Sequence, residues 1–331
     1  MIKKFIGRAT SRRFLPKNLG KKKIVCIGGG TGLFSLLSGL KEYSVNKDNI
    51  KAIVTTLDNG GSSGKLITQY GILPPGDIRN CLVALSDQPQ VVADLFQYRF
   101  DKKLDNHNFG NLLITALCDV TGSFDMAVKE ASKILRIKGE VVPVSFHKNN
   151  LVANLDNGKK LVGESNISDL DKKFKIESLG LQKKVGAANS RAVEVINNAD
   201  IIIFGPGGLY HSIIPNLLFP SIRDAINSNK KAKKILVPSV MSQGNTYDYS
   251  VSDFKVALEK HLEGKLTHLI ANTHVPVTSA LQKYRKEDKH PIPVDFENIK
   301  GVKLVTGNFI DEDKLVRHNP QKIAKAILGL L

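Results

Sequence analysis

The sequence predicts an α/β protein of Rossmann-like, three-layer form, with a mostly parallel sheet and a small β-rich insertion. Three observations predict it. Adjacent glycines, Gly28-Gly29-Gly30-Thr31-Gly32, join the apolar stretch Ile24 to Ile27 to the helically periodic stretch Leu33 to Leu40. Short β-branched runs then alternate with helical patterns, each run ending in a loop rich in Gly, Asn or Asp, as a parallel sheet with crossover helices requires. At 331 residues, 42% hydrophobic and 24% charged, the chain has the length and composition to bury a large core.

Ile24 to Ile27 and Ala52 to Thr56 read as the first strands. Residues 77 to 135 read as a series of helices, with Ile78, Leu82 and Leu85 on one apolar face and Leu112, Leu113 and Leu117 on another. Val141 to Phe146, Leu151 to Leu155 and Lys160 to Val162 are expected as short antiparallel strands, with Asp156-Asn157-Gly158 as a hairpin turn. They would form the insertion, over about residues 139–180. The parallel pattern resumes with Asp200 to Phe204, Lys234 to Pro238 and Thr267 to Ala271, and closes with the strand Val302 to Thr306 and the helix Gln321 to Leu331. The expected organisation is a flexible basic leader, 1–22, and one domain, 23–331.

The formal net charge is +17. Residues 1–23 hold Lys3, Lys4, Arg8, Arg12, Arg13, Lys17, Lys21, Lys22 and Lys23 and no acid. Such a segment suits weak contact with an anionic surface, and equally a solvated leader without a partner. There is no apolar run of about 18 residues for a membrane span and no apolar h-region for secretion. Cys26, Cys81 and Cys118 lie far apart in apolar surroundings and read as reduced core thiols of a cytoplasmic protein.

Chemistry is expected at the loops that end the strands, because open α/β sheets bind ligands there. In the first loop, glycines let backbone amides approach a phosphate at a helix N-terminus. The dinucleotide fingerprint is incomplete, since Leu33 stands at the third glycine position. Asp58-Asn59-Gly60-Gly61-Ser62-Ser63-Gly64 offers a carboxylate, glycines and hydroxyls suited to phosphate, ribose or a hydrated metal, with Asp58 the magnesium ligand if that ion is used. In Leu73-Pro74-Pro75-Gly76-Asp77-Ile78-Arg79-Asn80, Asp77 and Asn80 sit at a helix start, where capping and ligand contact are equally good accounts. Gly205-Pro206-Gly207-Gly208 is a second glycine-rich cradle, and Asn108 and Asn111 add amides at another helix start, a usual capping site. No P-loop, nucleophile elbow or HExxH occurs, and the eight histidines are scattered.

Together GGGTG, DNGGSSG, LPPGDIRN, HNFGN, GES at Gly163-Glu164-Ser165 and GPGGLYHSIIPNLL, in this order, resemble the gluconeogenesis factor (YvcK-like) branch of the YvcK/CofD family, from about Lys23 to the C-terminus. The resemblance implies a cytoplasmic bacterial protein that binds nucleotide sugars, UDP-N-acetylglucosamine above all, and is needed for cell shape and wall synthesis on gluconeogenic carbon. It further implies that Gly29, Gly30, Thr31 and Gly32 meet phosphates, that Asp58, Asn59, Asn108, Asn111, Gly205 and Gly207 line the same cleft, and that Arg317 reaches the nucleotide sugar. The expected ligand set comprises these residues with Asp77 and Asn80. No catalytic residue is assigned and no cofactor is required. In this scheme the glycine loops hold the diphosphate and the polar loops read sugar and uracil; the partners are a cell-wall or metabolic regulatory protein and a second copy of the chain.

Three positions depart from the family pattern. Asn319-Pro320 stands where relatives carry an acid and a hydroxyl residue, so this turn has no hydroxyl to phosphorylate, and Gly208 replaces a serine. The alternative function is that of the sister branch, a magnesium-dependent 2-phospho-L-lactate transferase acting on a nucleotide-diphosphate donor. A nicotinamide-dependent oxidoreductase is disfavoured by Leu33 and by the lack of an acid about 20 residues on. Nucleic-acid binding ranks last, because the positive charge is concentrated in the leader.

Overall fold

A computed structural model describes residues 21–43, 46–312 and 315–331. Most of the basic leader therefore lies outside the described residues.

The first half of the chain runs β1 (Ile24–Gly28), α1 (Gly30–Tyr43), β2 (Ile50–Val54), α2 (Gly61–Tyr70), α3 (Gly76–Leu85), α4 (Gln90–Gln97), α5 (Phe109–Thr121), α6 (Phe124–Ile134) and β3 (Glu140–Pro143). A small antiparallel unit follows, made of β4 (Leu151–Leu155), β5 (Lys160–Val162), α7 (Glu164–Ser168) and β6 (Ile176–Leu181). The second half holds α8 (Ser190–Asn197), β7 (Ile201–Phe204), α9 (Ile214–Leu217), α10 (Pro220–Ser228), β8 (Lys233–Leu236), α11 (Val251–Leu262), β9 (His268–Asn272), α12 (Thr278–Lys286) and β10 (Lys303–Gly307). It closes with the two-residue strands β11 (Ile310–Asp311) and β12 (Arg317–His318) and with α13 (Pro320–Leu328).

Seven strands form one parallel sheet in the order β10-β9-β8-β7-β1-β2-β3. The order runs outward in both directions from the β1/β7 pair, which makes that pair the switch point of the sheet and leaves a crevice beyond its carboxyl ends. Both faces are covered, so the central strands are apolar throughout, and successive residues enter opposite cores. Ile24 and Cys26 of β1 and Ile201 and Ile203 of β7 pack with α1, α3 and α13. Val25, Ile27, Ile202 and Phe204 pack with α8 to α11 and with the inner face of the antiparallel unit, Leu151, Ala153 and Leu155. The three cysteines are free and buried, and burial raises the Cys26 and Cys81 thiols, which keeps them protonated.

The structure corrects two strand expectations. Val141 to Phe146 does not pair antiparallel with its successors: β3 pairs parallel with β2, Val54 facing Pro143, at the edge of the main sheet. The third strand of the antiparallel sheet is instead β6, on the far side of β4 from β5. The β11–β12 hairpin was not expected either.

Candidate functional site

β1 ends at Gly28, and α1 begins at Gly30 with φ +66°, a left-handed backbone open to glycine at little cost. Beside it, the loop after β7 runs Gly205-Pro206-Gly207-Gly208. The two loops touch backbone to backbone: a Cβ on Gly32 would lie 2.5 Å from the Pro206 carbonyl oxygen and 3.0 Å from the Gly207 nitrogen. Side chains are excluded there by contact, so the floor of the crevice consists of peptide groups and the N-terminus of α1.

The crevice has a volume of about 520 Å³. Of the expected ligand residues, Gly29, Gly30, Thr31, Gly32, Asp58, Asp77, Gly207 and Arg317 line it. The others do not. Gly205 lies against the Val237 carbonyl, 2.7 Å from where its Cβ would stand. The Asn59 side-chain oxygen, Oδ1, accepts the Ser165 N–H and hydroxyl, at 3.0 and 3.1 Å, which fixes the start of α7. Asn80 accepts from the Arg79 guanidinium at 2.7 Å. Asn108 caps α5, accepting the Asn111 N–H at 3.1 Å, and Asn111 donates to the Ser62 hydroxyl at 3.2 Å. Ser62 also meets His107 Nδ1 at 3.0 Å. The HNFGN and DNGGSSG motifs thus join into a buried network behind the crevice wall.

Asp77 is not the side-chain cap of α3; its Oδ1 crosses to accept the Gly30 N–H at 2.9 Å. A carboxylate therefore already occupies one amide of the glycine loop. Asp58 and Glu164 line the same wall. Burial, and then Asp58, raise Asp77 to about 6, opposed by the Gly30 N–H and Arg79. Burial, the charges of Asp58 and Asp77 and a hydrogen bond with Asp58 raise Glu164 to about 8. In the sequence Glu164 stands out only within the GES motif; its place after the hairpin, opening α7 behind the cap Gly163, is the available signal.

Arg317, Lys289 and Tyr284 line the same crevice. Arg317 belongs to β12, paired with β11, and the Tyr284 hydroxyl donates to the Val316 carbonyl at 3.3 Å. Asn319 caps α13, accepting the Lys322 N–H at 2.9 Å, so a helix start stands directly behind Arg317. Lys289 and Tyr284 come from the excursion between β9 and β10, which carries no glycine-rich signal, and were not foreseen. His211 lines the crevice from a π-helical turn, Leu209–Ile213, and its imidazole fills the space that a side chain at Gly208 would need. Burial lowers His211 and His318 to about 4, so both are neutral.

The donor set bears on magnesium. Among the described residues no group of three or more His, Cys, Asp or Glu side chains is arranged to hold a metal ion. Magnesium, however, commonly takes only one or two carboxylates together with substrate phosphates. Asp58 and Asp77, beside the glycine loops, fit that partial role.

Comparison with known proteins places the architecture in a family. The model of the family described as 2-phospho-L-lactate transferase CofD matches residues 24–310. A Bacillus subtilis protein named gluconeogenesis factor is 39% identical over 318 residues, 94% of this chain and 98% of its own. The chain belongs to the gluconeogenesis-factor branch of the YvcK/CofD family. An Aquifex aeolicus protein, provisionally given the same name, is 44% identical over 94% of this chain and 97% of its own. A crystal structure of a Bacillus halodurans protein superposes with a TM-score of 0.87 at 39% identity, covering 93% of this chain and 99% of that one.

Proposed function

We propose that this chain binds a nucleotide sugar of the UDP-N-acetylglucosamine kind at the switch-point crevice. It acts in the cytoplasm as a regulator needed for cell shape and wall morphogenesis during gluconeogenic growth, through a metabolic or cell-wall partner protein and as a homo-oligomer. The observation that carries the reading is the pair of glycine loops in backbone contact within a crevice that Arg317 and Lys289 also line. Peptide donors, a helix N-terminus and two cations suit a diphosphate. The relatives' name, gluconeogenesis factor, supports the link to gluconeogenic growth. No described helix is long and apolar enough to cross a membrane.

The carboxylates favour a second reading, a magnesium-dependent transferase like the 2-phospho-L-lactate transferases. There Asp58 and Asp77 would hold the ion against the phosphates, and the ion would neutralise charge on the transferring group. Calorimetric titration with UDP-N-acetylglucosamine, GDP and NAD, each with and without magnesium, separates the readings. Saturable binding of the UDP sugar alone is expected. Preference for GDP would favour the transferase, and no binding of any of the three would overturn both.

A further inference from the structure

Next to the crevice lies a second cavity of about 400 Å³, at the carboxyl ends of β8 and β9. The two share Ser239 and Val240, so they are arms of one depression. Their chemistry differs sharply. The crevice is walled by carboxylates, cations and peptide groups, whereas this annex is walled by Val240, Ala271, Pro291, Ile292, Val294 and Phe296. Its outer wall is fixed on two sides: the Ile292 N–H donates to the Val240 carbonyl at 2.9 Å, and the Val251 N–H donates to the Pro293 carbonyl at 3.0 Å. The annex is therefore preformed. At its mouth Phe296 and Val275 are 56% and 73% exposed, an apolar rim with nothing among the described residues covering it.

Resting on the nucleotide-sugar reading, we infer that the annex is the subsite for the nucleotide's aromatic base, entered through the neck at Ser239 and Val240. The alternative places for the base are poor. The asparagines expected to read it do not line the crevice: Asn108 and Asn111 are held in the buried network, and Asn59 is held by Ser165. A flat ring gains by leaving water for an apolar slot and by stacking on Phe296. Asn272, also on the annex wall, accepts from the Phe309 N–H at 3.0 Å and donates to the His274 carbonyl at 2.8 Å. One amide hydrogen and one lone pair remain for the hydrogen-bonding edge of a base. The polar arm then takes the diphosphate and sugar.

The chain contains no tryptophan, so Phe296→Trp supplies a single fluorescent reporter at the rim. UDP-N-acetylglucosamine should change its emission saturably, and inorganic pyrophosphate should not. In calorimetry, Val294→Phe, which fills the annex, should weaken the UDP sugar by about tenfold or more, and Phe296→Ala, at an exposed position, by several-fold. If wild type binds the UDP sugar while Val294→Phe and Phe296→Ala bind it within twofold of wild type, the base lies elsewhere and the inference fails alone. Failure of wild type to bind the UDP sugar removes the reading on which it rests.

Discussion

At the scale of single residues, the crevice is decided by atoms that are absent as much as by those present. Gly32 faces the peptide of Pro206 and Gly207 at distances no Cβ tolerates, and the obstacle is backbone that cannot rotate away. Gly32→Ala should cost about 1–3 kcal/mol of stability through overpacking and weaken UDP-sugar binding further by parting the loops; thermal melts and titration of the folded variant check both. Gly30 is a blunter probe, because its added Cβ points into open space at φ +66° and the backbone strain confounds the result. Glu164 gives a pH test. Its folded value, about 8 against an ordinary 4.5, means that the native state keeps a proton the unfolded chain releases. The stabilising contribution is therefore complete below about 4.5 and is lost as the pH rises through about 8. Glu164→Gln should gain on wild type as the solution becomes alkaline, by ~1 kcal/mol once solvent screening is allowed for; melts at acidic and alkaline pH read the difference. The opposite trend would show Glu164 ionised in the native protein.

At the scale of elements, a tight helix crossing serves the site. α1 and α13 meet where Gly39 abuts the Pro320 carbonyl and lies near Ala324, and this contact seats the residues just before α13, Val316-Arg317-His318, above the glycine loops. Gly39→Val should therefore lower the melting temperature and also weaken nucleotide-sugar binding, although residue 39 lies outside the crevice. Unchanged affinity in a destabilised variant would separate Arg317 from the helix that carries it. Elements also differ in how legible they were. Strong apolar runs such as Ile201–Phe204 state their identity, because a strand buried on both faces leaves no polar alternation to misread. Glu140–Pro143 is as apolar in its middle, but its partner lies across the helices α2 to α6, and nothing local distinguishes a parallel edge from the first arm of a hairpin. Ile176–Leu181 contains Glu177, Ser178 and Gly180 and pairs with a strand 21 to 30 residues back, so its strand character comes from the partner. Two-residue strands such as Arg317–His318 fall below any periodicity.

At the scale of the whole molecule, the strand order fixes where chemistry can occur. Three strands run outward from β1 on one side and four from β7 on the other, and the glycine loops of those two strands meet at the reversal. That part of the site was legible, since glycine runs after strong strands announce it. The asparagines were not, because an Asn at a helix start looks alike whether it caps, as Asn108 does, or faces a ligand. Other lining residues were hidden for a different reason: Lys289 and Tyr284 reach the crevice from one excursion of the chain and Glu164 from another, and only the three-dimensional closure of the fold brings them there.

The central claim is that the ligand's diphosphate lies between the two glycine loops. A crystal structure of the protein with UDP-N-acetylglucosamine tests it most directly. The account predicts phosphate oxygens within hydrogen-bonding distance of the Thr31 or Gly32 amides and of the Arg317 guanidinium. A diphosphate bound away from both loops would contradict it.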